Sequence, residues 1–143
     1  MYHSIRCFSL AFVLVFSMGS CQKEVKNDLY VHDVEEFNKA LINVVPGATI
    51  VLANGIWKDA ELLFEAVGTE DSPITLEAET KGEVIFEGNS NLRIAGEYLI
   101  VKGLVFKNGF TPTNAVISFR KNRKEMANNC RLTECVIDDY NNP

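Results

Sequence analysis

The sequence has few of the residues from which metal and nucleophile sites are usually built. Of its 143 residues, two are histidine, four are cysteine and one is tryptophan. It contains no G-x-S-x-G, H-E-x-x-H or phosphate-loop pattern. A basic excess is also missing, because the formal net charge is -5 and nucleic-acid binders usually carry a basic patch that neutralises phosphates. The composition therefore argues against a nucleic-acid partner.

The sequence also has no apolar run long enough to cross a membrane. The apolar stretch Cys7 to Phe16 has ten residues, and a bilayer needs about 20. Arg6 precedes this stretch and small residues follow it, which is the pattern of an export signal. Met18-Gly-Ser-Cys21 resembles a bacterial lipobox, so we expect residues 1–20 to be a lipoprotein signal peptide, with an ordinary secretory signal as the alternative.

The predicted anchor places the protein in the cell envelope. In a lipobox the cysteine is lipidated and becomes the mature N-terminus, which makes Cys21 the expected lipidation site. Residues 21–28 are polar without periodicity and suit a tether. We therefore expect an exported protein, an outer-membrane lipoprotein facing the periplasm or the exterior, whose only membrane contact is the lipid.

Two further cysteines, Cys130 and Cys135, form a C-x4-C pattern. A structural zinc site needs four ligands, and neither a second cysteine pair nor a nearby histidine is present. We expect small apolar side chains in a core, with a disulfide as the alternative in an exported protein.

One amphipathic helix is predicted over residues 34–44. Asp33 and Glu36 have the spacing of a capping box, and Pro46-Gly47 ends the helical pattern. Its apolar positions recur at helical spacing and must lie against another element: Val34, Phe37, Ala40, Leu41 and Val44.

After Gly47 the chain consists of short apolar runs separated by turn residues, an all-β composition. One series of runs recurs with steps of 24, 25 and 31 residues, marked by Leu52, Leu76, Val101 and Leu132. A second series has steps of 22, 20 and 31, marked by Leu63, Ile85, Val105 and Val136. Parts of a third occur at Leu92-Arg-Ile94 and Ala115-Val-Ile117.

Strands that recur every 20 to 31 residues are typical of a parallel β-helix, in which each coil stacks on its neighbour. The predicted helix would then cap the open N-terminal end of the stack. The alternative is an antiparallel sandwich, whose hairpin turns could lie at Asn54-Gly55, Glu87-Gly88 and Asn108-Gly109.

Three segments resemble the N-terminal coils of polysaccharide lyase family 6, which contains alginate lyases and chondroitinase B. They are Pro46-Gly-Ala-Thr-Ile-Val-Leu-Ala-Asn-Gly-Ile-Trp57, Ser72-Pro-Ile-Thr-Leu-Glu-Ala-Glu-Thr80 and the run from Asn91 to Gly109. The resemblance implies a right-handed parallel β-helix, with about four N-terminal coils over residues 29–143.

The resemblance also implies β-elimination at a uronate residue of an anionic polysaccharide, alginate above all, with chondroitin or dermatan sulfate as the other candidates. In the family a lysine base, an arginine and Ca²⁺ act together, and they lie on later coils. We therefore expect an inactive N-terminal fragment of a longer lyase and assign no catalytic or calcium-binding residue. The alternative is a non-catalytic β-helix that binds glycans or serves as a surface scaffold.

The segment Arg120-Lys-Asn-Arg-Lys124 places four cations within five residues, on the insertion that lengthens the last step. An acidic polysaccharide needs local cations, and arginine forks match carboxylates well. Arg120, Arg123 and Lys124 are therefore candidate substrate-binding residues, and a solvated loop is the alternative.

The remaining polar and aromatic candidates have structural interpretations. We expect Trp57 to cover the core, His32 to lie at the surface beside the helix cap, and Asp138 and Asp139 to be turn residues. Asparagines at the corners of the coils are expected to be structural: Asn89, Asn91, Asn108 and Asn114.

Overall fold

Short parallel strands make up most of the computed structural model, which describes residues 27–111 and 113–140. The helix α1 spans Val34–Ile42. The strands are β1 (Asp28–Val31), β2 (Thr49–Leu52), β3 (Gly55–Lys58), β4 (Glu61–Val67), β5 (Ile74–Ala78), β6 (Val84–Asn89), β7 (Asn91–Glu97), β8 (Leu99–Lys102), β9 (Leu104–Phe110), β10 (Ile117–Ser118), β11 (Ala127–Asn128), β12 (Arg131–Thr133) and β13 (Val136–Tyr140).

Strands one coil apart pair in parallel and form three sheets. Sheet 1 has the order β1-β2-β5-β8-β12, and sheet 2 the order β3-β6-β9-β13. In sheet 3, β7 pairs with β4 and with both β10 and β11. The parallel β-helix is confirmed and the antiparallel sandwich is wrong. Over the described residues it has about three complete coils plus two strands of a fourth, where about four were predicted.

The core is a stack of inward rows along the axis of the β-helix. In sheet 1, Ile50 lies opposite Leu76, which lies opposite Val101, and all three are fully buried. In sheet 2, the rings of Phe86 and Phe106 stack with centroids 4.7 Å apart. Trp57 is 6% exposed and lies 5.9 Å from Phe86, so its predicted role as a cover for the core is confirmed.

Two markers of the predicted repeat have the wrong register. Leu52 lies opposite Ala78, and it is Ile50 that lies opposite Leu76. Leu63 belongs to β4 in sheet 3, where it lies opposite Arg93. A period of two gives Ile50 and Leu52 the same inward orientation, so the apolar pattern alone could not separate these two registers.

The helix α1 packs on β1, β2 and β4 and caps the first coil, as predicted. Phe37 is fully buried in the core. The Asp33 carboxylate accepts a hydrogen bond from the Glu36 amide at 2.8 Å, which is the expected N-cap. The Glu36 carboxylate accepts from the amide of His32, at 2.8 Å, and the helix ends at Ile42, two residues before the predicted end.

The corner between β8 and β9 is formed by Gly103, whose φ of +82° lies in the left-handed region. Asn108 also has a positive φ, of +52°, and its side-chain amide donates to Glu87 at 3.0 Å. Asn91 is buried at the start of β7 and donates to Glu61 at 3.2 Å. These contacts link consecutive coils.

Cys130 and Cys135 flank β12 and are both partly buried free thiols packed against the core. Burial raises the pKa of each thiol above its ordinary value. The prediction that both cysteines pack in the core is therefore confirmed in part, because the two side chains are only partly buried. The disulfide alternative is wrong. The predicted signal peptide and Cys21 lie outside the described residues.

Candidate anion-binding groove

A basic groove of about 470 Å³ lies on the outer face of sheet 3. Side chains alternate along a strand, so the inward Leu92 and Ile94 leave Arg93 on the outer face, between Leu63 and Ser118. The long insertion follows as loop 119–126, which joins β10 to β11. The groove is lined by Arg93, by parts of segment 113–118 and by residues 120–123.

The loop is closed by its own hydrogen bonds. The side-chain oxygen of Asn122 accepts from the amides of Lys124, at 2.8 Å, and Glu125, at 3.0 Å. An asparagine that bonds its own backbone two residues further on stabilises a tight turn. The amide of Ala127 donates to the carbonyl of Phe119 at 3.0 Å, which brings the two ends of the loop together.

Lys121 attaches the loop to the sheet. Its ammonium group donates to both carboxylate oxygens of Glu65, at 3.1 and 3.0 Å, and lies 3.9 Å from the carboxylate of Glu125. The hydrogen bond to Glu65 is the main cause that raises the pKa of Lys121. Lys121 is therefore already paired within the protein.

The other cations of the groove are arginines. In the described part of the chain, no carboxylate forms a salt bridge with Arg93, Arg120 or Arg123. The Nε atom of Arg93 is buried and has no hydrogen-bond partner. With Lys121 included, four cations line the groove, and two carboxylates, those of Glu65 and Glu125, lie near Lys121, so the groove carries an excess of positive charge although the whole chain is acidic.

The structure brings together two of the three predicted substrate-binding residues. Arg120 and Arg123 both line the groove, whereas Lys124 lies beside it in the Asn122 turn, outside the lining. Arg93 was missed, because a single arginine within an apolar strand has no local charge pattern. Its outward position on the sheet that carries the basic insertion was the signal that could have found it.

The described residues do not fit the Ca²⁺ that the family resemblance implies. Across residues 27–111 and 113–140, no three His, Cys, Asp or Glu side chains converge to hold a metal ion.

Asp138 and Asp139 lie within β13, not in a turn as predicted, and Asp139 has a φ of +45°.

No helix in residues 27–111 and 113–140 is both long and apolar enough to span a membrane.

Comparison with known proteins places the chain among lyases. The family model described as Chondroitinase B matches residues 31–143. The structure of the PL6 family alginate lyase AlyGC has 53% sequence identity over 81% of this chain and 16% of that chain, with a TM-score of 0.80. No curated protein matches the chain significantly.

Two further solved structures are similar. A mannuronic acid specific polysaccharide family 6 lyase from human gut microbiota is 31% identical over 81% of this chain and 27% of that chain, with a TM-score of 0.74. The PL6 family lyase Pedsa3628 from Pseudopedobacter saltans is 35% identical over 76% of this chain and 24% of that chain, with a TM-score of 0.69. This chain thus spans about a sixth to a quarter of these relatives' lengths.

Proposed function

This chain belongs to polysaccharide lyase family 6, the chondroitinase B family, and on that premise we propose that it forms the N-terminal coils of a lyase acting on uronate polysaccharide. The reaction would be β-elimination. A base removes the proton at C5 of a uronate, the electron pair forms the C4–C5 double bond, and the C4–O bond breaks. The leaving saccharide takes a proton, and the other product is an unsaturated sugar.

Alginate is the proposed substrate. Two of the similar structures above are an alginate lyase at 53% identity and a mannuronic acid specific lyase at 31% identity. The description of the family model, Chondroitinase B, supports chondroitin as the next candidate. Both polymers carry one carboxylate on each uronate, which is the group that a basic groove can recognise.

The single observation that supports a role in saccharide binding is the groove on the outer face of sheet 3. Arg120 and Arg123 line it without a carboxylate partner among the described residues. We propose that they bind uronate carboxylates, with Lys124 contributing at the rim. On this proposal the chain supplies binding and scaffold, and the proton-transfer groups and the Ca²⁺ site belong to later coils of the lyase.

Product formation tests the lyase proposal. The full-length product of the gene is incubated with alginate and with chondroitin in the presence of Ca²⁺, and unsaturated sugar is followed by its ultraviolet absorbance. We expect absorbance to rise with alginate. Binding of alginate with no unsaturated product from either polymer would contradict the lyase and favour the non-catalytic glycan-binding alternative.

Export through a lipid anchor is a separate proposal. It depends on the resemblance of Met18-Gly-Ser-Cys21 to a lipobox. In a bacterial host, the wild-type protein is expected to incorporate labelled palmitate and to fractionate with the envelope, while Cys21→Ala loses the label. Equal labelling of the two proteins would contradict this assignment, and an unlabelled wild-type protein that is still exported would favour an ordinary secretory signal.

A further inference from the structure

Arg93 occupies an unusual position for an arginine. It lies near the middle of β7 on the outer face of sheet 3, flanked by Leu63 on one neighbouring strand and Ser118 on the other. The side chain is partly buried and its Nε atom is fully buried with no hydrogen-bond partner. A buried donor without an acceptor is destabilising, and charged donors more so than neutral ones.

The groove that Arg93 lines has room for a carboxylate. Its volume of about 470 Å³ is within the range of roughly 300–1,000 Å³ typical of small-molecule sites. Arg93 lines it together with Arg120 and Arg123. A guanidinium binds a carboxylate through two parallel N–H donors.

Lys121 cannot serve as this anchor, although it also lines the groove. Its ammonium group is held by both carboxylate oxygens of Glu65. This pair attaches the loop to β4 and thereby positions Arg120 and Arg123 opposite the strand that carries Arg93.

We propose that Arg93 is the anchor for one uronate carboxylate on the floor of the groove, with Arg120 and Arg123 at its rim and Lys121 as a positioning residue. This inference rests on the proposed function, whose substrate-binding site it specifies. Recognition by a planar fork makes the site selective for a carboxylated sugar over an uncharged one.

The test measures binding of mannuronate and guluronate oligosaccharides to the purified chain by calorimetry, with carboxyl-reduced oligosaccharides as uncharged probes. We expect Arg93→Gln to weaken binding about tenfold or more, because a charged hydrogen-bonded pair is lost. The matched control is Arg131→Gln, which removes the same charge from an exposed position in sheet 1 and is expected to change binding less than about threefold.

A second variant tests the carboxylate-binding role of Arg93 even if Arg93→Gln folds poorly. Arg93→Lys retains the charge and loses the fork, so we expect an intermediate loss of affinity. The anchor role of Arg93 would be overturned if Arg93→Lys bound as tightly as the wild type, or if Arg93→Gln bound as tightly as Arg131→Gln. In either case, uronate binding by the wild type would leave the proposed function intact. A wild-type chain that bound reduced and unreduced oligosaccharides equally, or neither, would overturn uronate binding at this groove and the anchor with it.

Discussion

The ammonium group of Lys121 binds both carboxylate oxygens of Glu65, a residue 56 positions earlier in the sequence, at 3.1 and 3.0 Å. Glu65 lies on β4 in the first coil, and Lys121 lies on the loop that follows β10 in the third. The bridge therefore crosses β7 and connects coils that are not adjacent. It is the side-chain contact that ties the basic loop to the outer face of sheet 3.

We expect Lys121→Met to loosen the loop without unfolding the β-helix. The ion pair is exposed, so the global midpoint of urea unfolding should change little. The amides of Lys121 and Ala127, which close the loop, should exchange with deuterium faster than in the wild type. Hydrogen exchange followed by mass spectrometry measures both effects.

The matched control for this variant is Lys39→Met, which breaks the exposed ion pair between Lys39 and Glu35 on α1. It should leave exchange in loop 119–126 unchanged. Equal protection of the loop in Lys121→Met and the wild type would show that the backbone bonds of the loop suffice without the bridge.

Phe86→Ala should destabilise the β-helix by about 3–5 kcal/mol, because it removes a fully buried ring from an aromatic stack. Its neighbour Ile85 lies on the outer face of the same strand, so Ile85→Ala should cost about 1 kcal/mol or less. Urea unfolding followed by circular dichroism measures both. Similar costs for the two variants would contradict the assignment of inner and outer faces in sheet 2.

Tyr140 supplies a pH-dependent contribution to stability. Its hydroxyl accepts from the amide of Ser90 at 2.9 Å and lies 2.9 Å from the carbonyl of Gly88. Burial is the main cause that raises the pKa of Tyr140 above its usual value of 10. Folding thus favours the protonated phenol, whose contribution is complete below about pH 10 and is lost as the pH rises through the folded-state pKa.

Tyr140→Phe should therefore cost about 1 kcal/mol at neutral pH, and the difference in unfolding free energy from the wild type should shrink above about pH 10. Urea titrations at several pH values measure this difference. Tyr30→Phe, which removes an exposed hydroxyl, serves as the control. A wild-type-minus-variant difference that stayed constant with pH would refute the role assigned to Tyr140.

Cys130 and Cys135 should react slowly with a thiol reagent at mildly alkaline pH. Burial raises the pKa of both thiols, so less thiolate is present and access is restricted. Labelling should accelerate in urea and reach two thiols within the described residues. Rapid labelling of both in the native protein would contradict their packing against the core.

The sequence predicted the β-helix because coil length is visible as a repeat of apolar runs, and α1 because its apolar stripe and N-cap are local features. The exact register was harder. The tight turn between β3 and β4 contains only Asp59 and Ala60, so the two strands are hard to separate in the sequence, and Leu63 was aligned with Ile85 in place of Ile56.

The residues of the candidate site were also predictable only where local sequence was enough to find them. Arg120 and Arg123 could be found because they are close together in the sequence. Arg93 was harder to find, because its significance comes from its place between Leu63 and Ser118, which are 30 and 25 positions away in the sequence, and from a buried atom that only the fold defines. The role of Lys121 likewise depends on a partner 56 positions away.

The third step of the repeat is longer than the others because loop 119–126 is inserted between β10 and β11. The strands that follow, β12 and β13, still keep their register on β8 and β9. Length can therefore vary at this corner without disturbing the inner rows. Changes in the length or charge of loop 119–126 should therefore alter the outer face of sheet 3 while the coils beneath keep their register.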